Sequence, residues 1–177
     1  RPGQAPAGRL WLAAGVPYIG IGAIALIGLR GDGEAGLGNV LFVVGIVWAS
    51  DIGAYAAGRL LGGPKLAPRL SPSKTWAGAA GGLGAAALAG CLVARAIAPG
   101  PVAGVVPAAL ALGLASQAGD LLESWIKRQR KVKDSSALIP GHGGLFDRVD
   151  GLLAAAALAG LLAGLLGAGV PLWRLAG

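Results

Sequence analysis

Charged residues divide this chain into long apolar runs. Residues 10–29 carry no charge, 39–60 carry only Asp51 and Arg59, and 76–97 carry only Arg95 near their end. Residues 102–126 are apolar until Asp120 and Glu123, and 151–173 are again uncharged. Each run reaches the roughly 20 residues needed to cross the hydrocarbon of a bilayer. Lipid offers no hydrogen bonds to a backbone, so only helices and closed barrels span it, and no ten-residue alternation marks barrel strands. The pattern predicts an all-α fold: a polytopic transmembrane helical bundle of about five spans, with polar loops, in one membrane domain over residues 1–177. Gly78/Gly82 and Gly160/Gly164 stand at the four-residue spacing that lets helix backbones approach closely. Pro17 and Pro107 fall inside runs, where proline is expected to kink a helix.

Composition supports the membrane reading. The chain is 55% hydrophobic and 13% charged, against about 25% charged for a soluble domain. The net charge of +7 is read as topology and contact with anionic phospholipid; no nucleic-acid-binding motif accompanies it. Twelve of the lysines and arginines fall in the N-terminal tail and the second-to-third and fourth-to-fifth connections, and only Arg30, Arg95 and Arg174 fall on the other side. The positive-inside rule places the basic connections in the cytoplasm. An Ala/Gly/Leu-rich chain of this kind points to a bacterial inner membrane. Methionine is absent, so the chain is expected to be the C-terminal portion of a longer protein. Cys91, the one cysteine, sits in the apolar "LAGCLVA" and reads as inert packing.

Carboxylates inside spans are costly, and Asp51, Asp120 and Glu123 need a reason to be there. Asp120 and Glu123 share a helical face that Lys127 continues. That spacing suits an interfacial salt bridge as well as a site. "SPSKTWAG", residues 71–78, places Ser71, Ser73, Lys74 and Thr75 before a span, where Ser71 or Ser73 is expected to cap the helix and its N-terminus to favour an anion. In "PGHGGLFDRVD", residues 140–150, Gly143 and Gly144 permit close backbone approach to a ligand, and Asp147 and Asp150 can share a helical face. Hard cations such as magnesium take oxygen ligands of this kind alongside substrate phosphates. His142 reads as a hydrogen-bond partner rather than a metal ligand. Carboxylates for a metal beside lysines and arginines for phosphate suit phosphoryl or nucleotidyl transfer to a membrane-resident phosphate.

Residues 124–150, "SWIKRQRKVKDSSALIPGHGGLFDRVD", resemble the signature of the phosphatidate cytidylyltransferases, or CDP-diacylglycerol synthases. Ser124, Ile126, Lys127, Arg128, Lys133, Asp134, Pro140, His142, Gly143, Gly144, Asp147, Arg148 and Asp150 hold its places. "DIGAYAAGRLLG" is similar to a second family segment through Asp51, Ala54, Tyr55 and Gly58, and "SPSKTWAG" to a third through Ser71, Pro72, Lys74, Thr75 and Gly78. Ala77 departs from the glutamate that relatives commonly carry there. The resemblance covers roughly residues 39–165, and the family's earlier spans are largely absent.

It implies transfer of CMP from CTP to phosphatidic acid, giving CDP-diacylglycerol and pyrophosphate, at a magnesium-centred site with a second cation also described. By position, Asp120 and Asp147 resemble the family's metal-binding aspartates, with Lys127, Lys133 and Asp150 as further catalytic residues. Lys74, Lys127, Arg128 and Lys133 are assigned to phosphate neutralisation. Ser71, Ser73, Thr75, His142, Gly143, Gly144 and Arg148 are expected to bind substrate or shape its pocket. Family members also resemble homodimers. The competing readings are a CTP-using kinase or cytidylyltransferase acting on an isoprenoid lipid, a transporter built on intramembrane acids, and a catalytically silent relative.

Overall fold

A computed structural model describes residues 6–31, 35–97, 103–129, 149–167 and 170–174, with side chains from residue 15 onward. Five helices carry the chain: α1 (Pro6–Arg30), α2 (Ala35–Leu60), α3 (Trp76–Ile97), α4 (Val105–Gln129) and α5 (Asp150–Leu166). Among the described residues, α2, α3 and α4 are long and apolar enough to cross a membrane. Gly15–Arg30 of α1 and all of α5 are shorter apolar helices. The chain is an all-α membrane protein.

The helices follow the apolar runs, with two corrections. The run 151–173 is not one helix. α5 stops at Leu166, and Gly167 takes a φ of 95°, a left-handed backbone that glycine adopts without steric cost. At 17 residues, α5 is about 25 Å long, shorter than a hydrocarbon core of about 30 Å. The chain then makes a 3-10 turn at Leu172–Arg174, where Trp173 packs on Phe42 with ring centroids 4.8 Å apart. The buried Asn39 holds this segment by accepting from the Leu172 amide at 2.9 Å and donating to the Val170 carbonyl at 3.2 Å. Pro107, the second correction, lies in the first turn of α4, where its missing N–H has no helical acceptor to lose.

A hairpin absent from the sequence reading joins α2 to α3. Strands β1 (Lys65–Ala67) and β2 (Ser71–Thr75) pair antiparallel, with Lys65 opposite Thr75 and Ala67 opposite Ser71. Gly62 and Gly63, with φ of 62° and 92°, turn the chain out of α2. Since residues 71–75 are extended, neither Ser71 nor Ser73 caps α3. Thr75 does so, its Oγ1 accepting from the Gly78 amide at 3.0 Å.

α2 and α3 form the most extensive helix pair. A Cβ on Gly78 would lie 2.8 Å from the Ala54 carbonyl oxygen, and one on Gly82 2.9 Å from that of Ser50. The close approach expected at these two positions is therefore present. Gly160 also meets a neighbour, Ala25 of α1, whereas Gly164 faces open space. The core is small and apolar, centred on Phe42, Val43 and Ile46 of α2, Ala86 of α3, Ala109 and Leu112 of α4, and Ala155 and Ala159 of α5. Cys91 packs against it as the apolar reading expects.

Candidate active site

Polar side chains gather at the hairpin end of the bundle. There the C-terminal halves of α2 and α4 meet the start of α3, and α5 begins beside them. A cavity of about 520 Å³ opens between these elements, within the range of small-molecule sites. Asp51, Tyr55 and Arg59 of α2 line one wall, Ser73, Lys74 and Thr75 of the hairpin another, and Gln117 and Asp120 of α4 a third. Arg59 donates from Nη1 to the Tyr55 hydroxyl at 2.7 Å, one helical turn away.

Lys74 and Asp120 form an ion pair across the cavity. The strand geometry of β2 makes this possible by carrying Lys74 over the end of α4 before α3 begins. A second tie runs from Arg128 Nε to the Leu70 carbonyl oxygen at 3.1 Å, so α4 holds the hairpin at its tip as well as its base.

Behind the cavity wall, α4 and α5 come close. A Cβ on Gly119 would lie 3.0 Å from the Asp150 carbonyl oxygen, and one on Gly151 2.6 Å from Ser116 Oγ. This approach brings Asp120, Glu123 and Asp150 together, each offering a carboxylate oxygen within 4.8 Å of the others. Glu123 is buried and pairs with Lys127, one turn on, at 2.8 Å. Asp150 is held from two sides. Its Oδ1 accepts from the Gly151 amide at 2.7 Å, and its carbonyl oxygen accepts from the Tyr18 hydroxyl at 3.1 Å. Crowded carboxylates repel one another, and Lys74 and Lys127 offset part of that repulsion. As a donor set, three clustered carboxylate oxygens fit a hard divalent cation such as magnesium.

A family model described as the cytidylyltransferase family matches residues 5–166. The chain belongs to the cytidylyltransferase family. Three similar proteins carry the name phosphatidate cytidylyltransferase. One from Brucella suis biovar 1 (strain 1330) is 56% identical over 155 residues, which is 88% of this chain and 57% of the relative. One from Haemophilus influenzae is 40% identical over 79% of this chain and 51% of its own length. One from Bacillus subtilis (strain 168) is 40% identical over 77% of this chain and 51% of its own length. The chain thus spans between half and three-fifths of these cytidylyltransferases.

Of the expected site residues, Ser73, Lys74, Thr75 and Asp120 line the cavity. Ser71 stands in the same strand, its hydroxyl 3.5 Å from that of Ser73. Lys127 and Arg128 lie on the last turns of α4, committed to Glu123 and to the hairpin tip. Asp150 joins the acidic cluster. Lys133, His142, Gly143, Gly144, Asp147 and Arg148 lie outside the described residues. Sequence reasoning left Glu123 open between a salt bridge and a site and gave no site role to Arg59 or Gln117. The available signal was position: each is a polar residue inside an apolar run.

Proposed function

We propose that this chain carries the catalytic region of a phosphatidate cytidylyltransferase of the bacterial inner membrane, with its site at the cytoplasmic face. The observation that carries the proposal is the convergence of Lys74, Asp120 and an acidic cluster on a cavity at the basic end of an apolar bundle. In the proposed reaction a phosphate oxygen of phosphatidic acid attacks the α-phosphorus of CTP. The new P–O bond forms as the bond from that phosphorus to its bridging oxygen breaks, and pyrophosphate leaves with the electron pair.

Such transfers depend on positioning and charge neutralisation. Lys74 sits on the cavity wall, able to exchange its contact with Asp120 for a substrate phosphate. Arg59, also on the wall, supplies a second cation. Magnesium, when bound, supplies neutralisation of the triphosphate and the departing pyrophosphate. Asp120, with Glu123 and Asp150 or with Asp147, would hold it. A second metal ion rests on the family resemblance alone. The large exposed apolar side chains on α2, including Trp48 and Ile52, offer a lipid-facing surface beside the cavity, so acyl chains can remain in the bilayer.

Labelled CTP incubated with phosphatidic acid, magnesium and the purified protein is expected to yield lipid-linked CMP and pyrophosphate in equal amounts. Product on an isoprenoid phosphate but none on phosphatidic acid would overturn the acceptor assignment. Lys127→Ala is expected to raise KM for CTP or phosphatidic acid severalfold with an unchanged magnesium requirement. Unaltered kinetics in both substrates would remove Lys127 from phosphate binding. A shifted magnesium requirement would instead assign it to the acidic cluster through Glu123.

A further inference from the structure

Gln117 lies one turn before Asp120 on α4 and is joined to two other helices. Its Nε2 donates to the Ala79 carbonyl oxygen of α3 at 3.1 Å and to Ser50 Oγ of α2 at 3.4 Å. A primary amide has two N–H donors, and both are committed here. Exchanging nitrogen and oxygen would set Oε1 against the Ala79 carbonyl, acceptor against acceptor, so the contacts themselves decide the amide's orientation. Ser50 is fully buried, and a Cβ on Gly82 would lie 2.7 Å from Gln117 Nε2. The side chain is therefore braced against two neighbouring helices, α2 and α3. Gln117 lines the cavity. With its nitrogen turned towards Ser50 and Ala79, the polar atom left for a ligand is the carbonyl oxygen Oε1, which accepts from no described residue.

A fixed acceptor on a cavity floor selects a donor. Phosphatidic acid offers phosphate and ester oxygens, almost all acceptors. CTP offers donors only on its nucleoside, through the exocyclic amine of the base and the ribose hydroxyls. We infer that Gln117 Oε1 accepts a hydrogen bond from the nucleoside of CTP, which occupies the inner end of the cavity while the phosphates lie at the level of Lys74 and Asp120. The inference rests on the cytidylyl-transfer reading and adds to it a specificity-determining residue and a direction of binding. Leaving such an acceptor without its donor costs about tenfold to a hundredfold in discrimination.

The test uses purified protein in lipid–detergent micelles with phosphatidic acid and magnesium. It compares kcat/KM and equilibrium binding for CTP, UTP, which lacks the amine, and dCTP, which lacks the 2′-hydroxyl. The wild type is expected to prefer CTP over at least one analogue by about tenfold or more. Gln117→Leu should bring that ratio close to one. Ser50→Ala, which frees one N–H and lets the amide rotate, should lower it partway with an unchanged melting temperature. Loss of discrimination against UTP assigns the amine, and against dCTP the ribose hydroxyl. If Gln117→Leu changes turnover on all three nucleotides equally, Gln117 is structural and the inference is wrong. If that variant does not fold, an unmoved ratio in Ser50→Ala overturns it. A wild type that forms no lipid-linked CMP would refute the cytidylyl-transfer reading itself, and the inference with it. Wild-type turnover with unmoved ratios refutes only the role of Gln117.

Discussion

Asp120→Asn is expected to abolish CDP-diacylglycerol formation, with a fall of at least a hundredfold, while the protein still accumulates in the membrane. The substitution keeps the shape of the side chain and removes its charge. Among the described residues, Asp120 is the one that both lines the cavity and belongs to the acidic cluster, and it is also the partner of Lys74. On the proposed reading, losing its charge removes a cation ligand, and it takes from Lys74 its ion-pair partner at the hairpin base. Removing one preorganised electrostatic contact at a reacting centre typically costs about 10²–10³ in rate. Two measurements separate these roles. Labelled-CTP turnover reads the chemistry, and manganese titration followed by electron paramagnetic resonance reads cation binding without turnover. Normal turnover in the variant would remove Asp120 from the site. Lost turnover with unchanged manganese affinity would restrict it to holding Lys74.

Gly82→Val is expected to lower the melting temperature by several degrees and to eliminate turnover. A Cβ at this position would lie 2.7 Å from Gln117 Nε2, 2.9 Å from the Ser50 carbonyl oxygen and 3.1 Å from Ala54 Cβ. Part of that surface is backbone, which cannot rotate aside, so valine must push α3 away from α2. Overpacking of this kind costs about 1–3 kcal/mol, and here it also displaces the glutamine that the cavity floor depends on. Gly84→Val is the matched control. It lies two residues along the same helix, carries the same change in helix propensity, and meets nothing within 4 Å. Thermal unfolding of both purified variants checks the pair. Equal destabilisation would show that propensity, not the α2–α3 contact, governs the effect.

Much of the fold was legible before any coordinates. The expected run 76–97 coincides with α3 because Thr75 and Arg95 bracket it with a capping hydroxyl and a terminal charge. The second and fourth runs fall within a few residues of α2 and α4. The hairpin was not legible. "KLAPRLSPSKT" contains two prolines and no alternation of apolar and polar residues, and it follows a turn at Gly62–Gly63, both at positive φ, that takes the chain out of α2. The fifth helix was overextended for a related reason. Residues 167–173 are as apolar as those before them, and only Asn39, more than a hundred residues away, shows that they end in a capped turn.

The site divides in the same way. Lys74, Asp120 and Asp150 stood out as charges beside apolar runs, and the structure brings all three to one end of the bundle. Glu123 stood out too, but its spacing from Lys127 suited a surface salt bridge equally well. Burial and the proximity of Asp150 join it to the cluster.

By itself, the sequence determined the solvent and the family. The length of the apolar runs requires a bilayer, the lysine and arginine bias gives an expected orientation, and the carboxylates and basic residues of residues 120–150 carry the family resemblance. Tertiary structure decided which helices are neighbours and so which polar groups meet. In water, an apolar stripe marks the face a helix buries. In lipid, the buried and outer faces are both apolar, and that signal vanishes. What remains is steric: Gly78 and Gly82 admit α2, Gly119 and Gly151 draw α4 to α5, and those approaches place Lys74, Gln117 and Asp120 around one cavity.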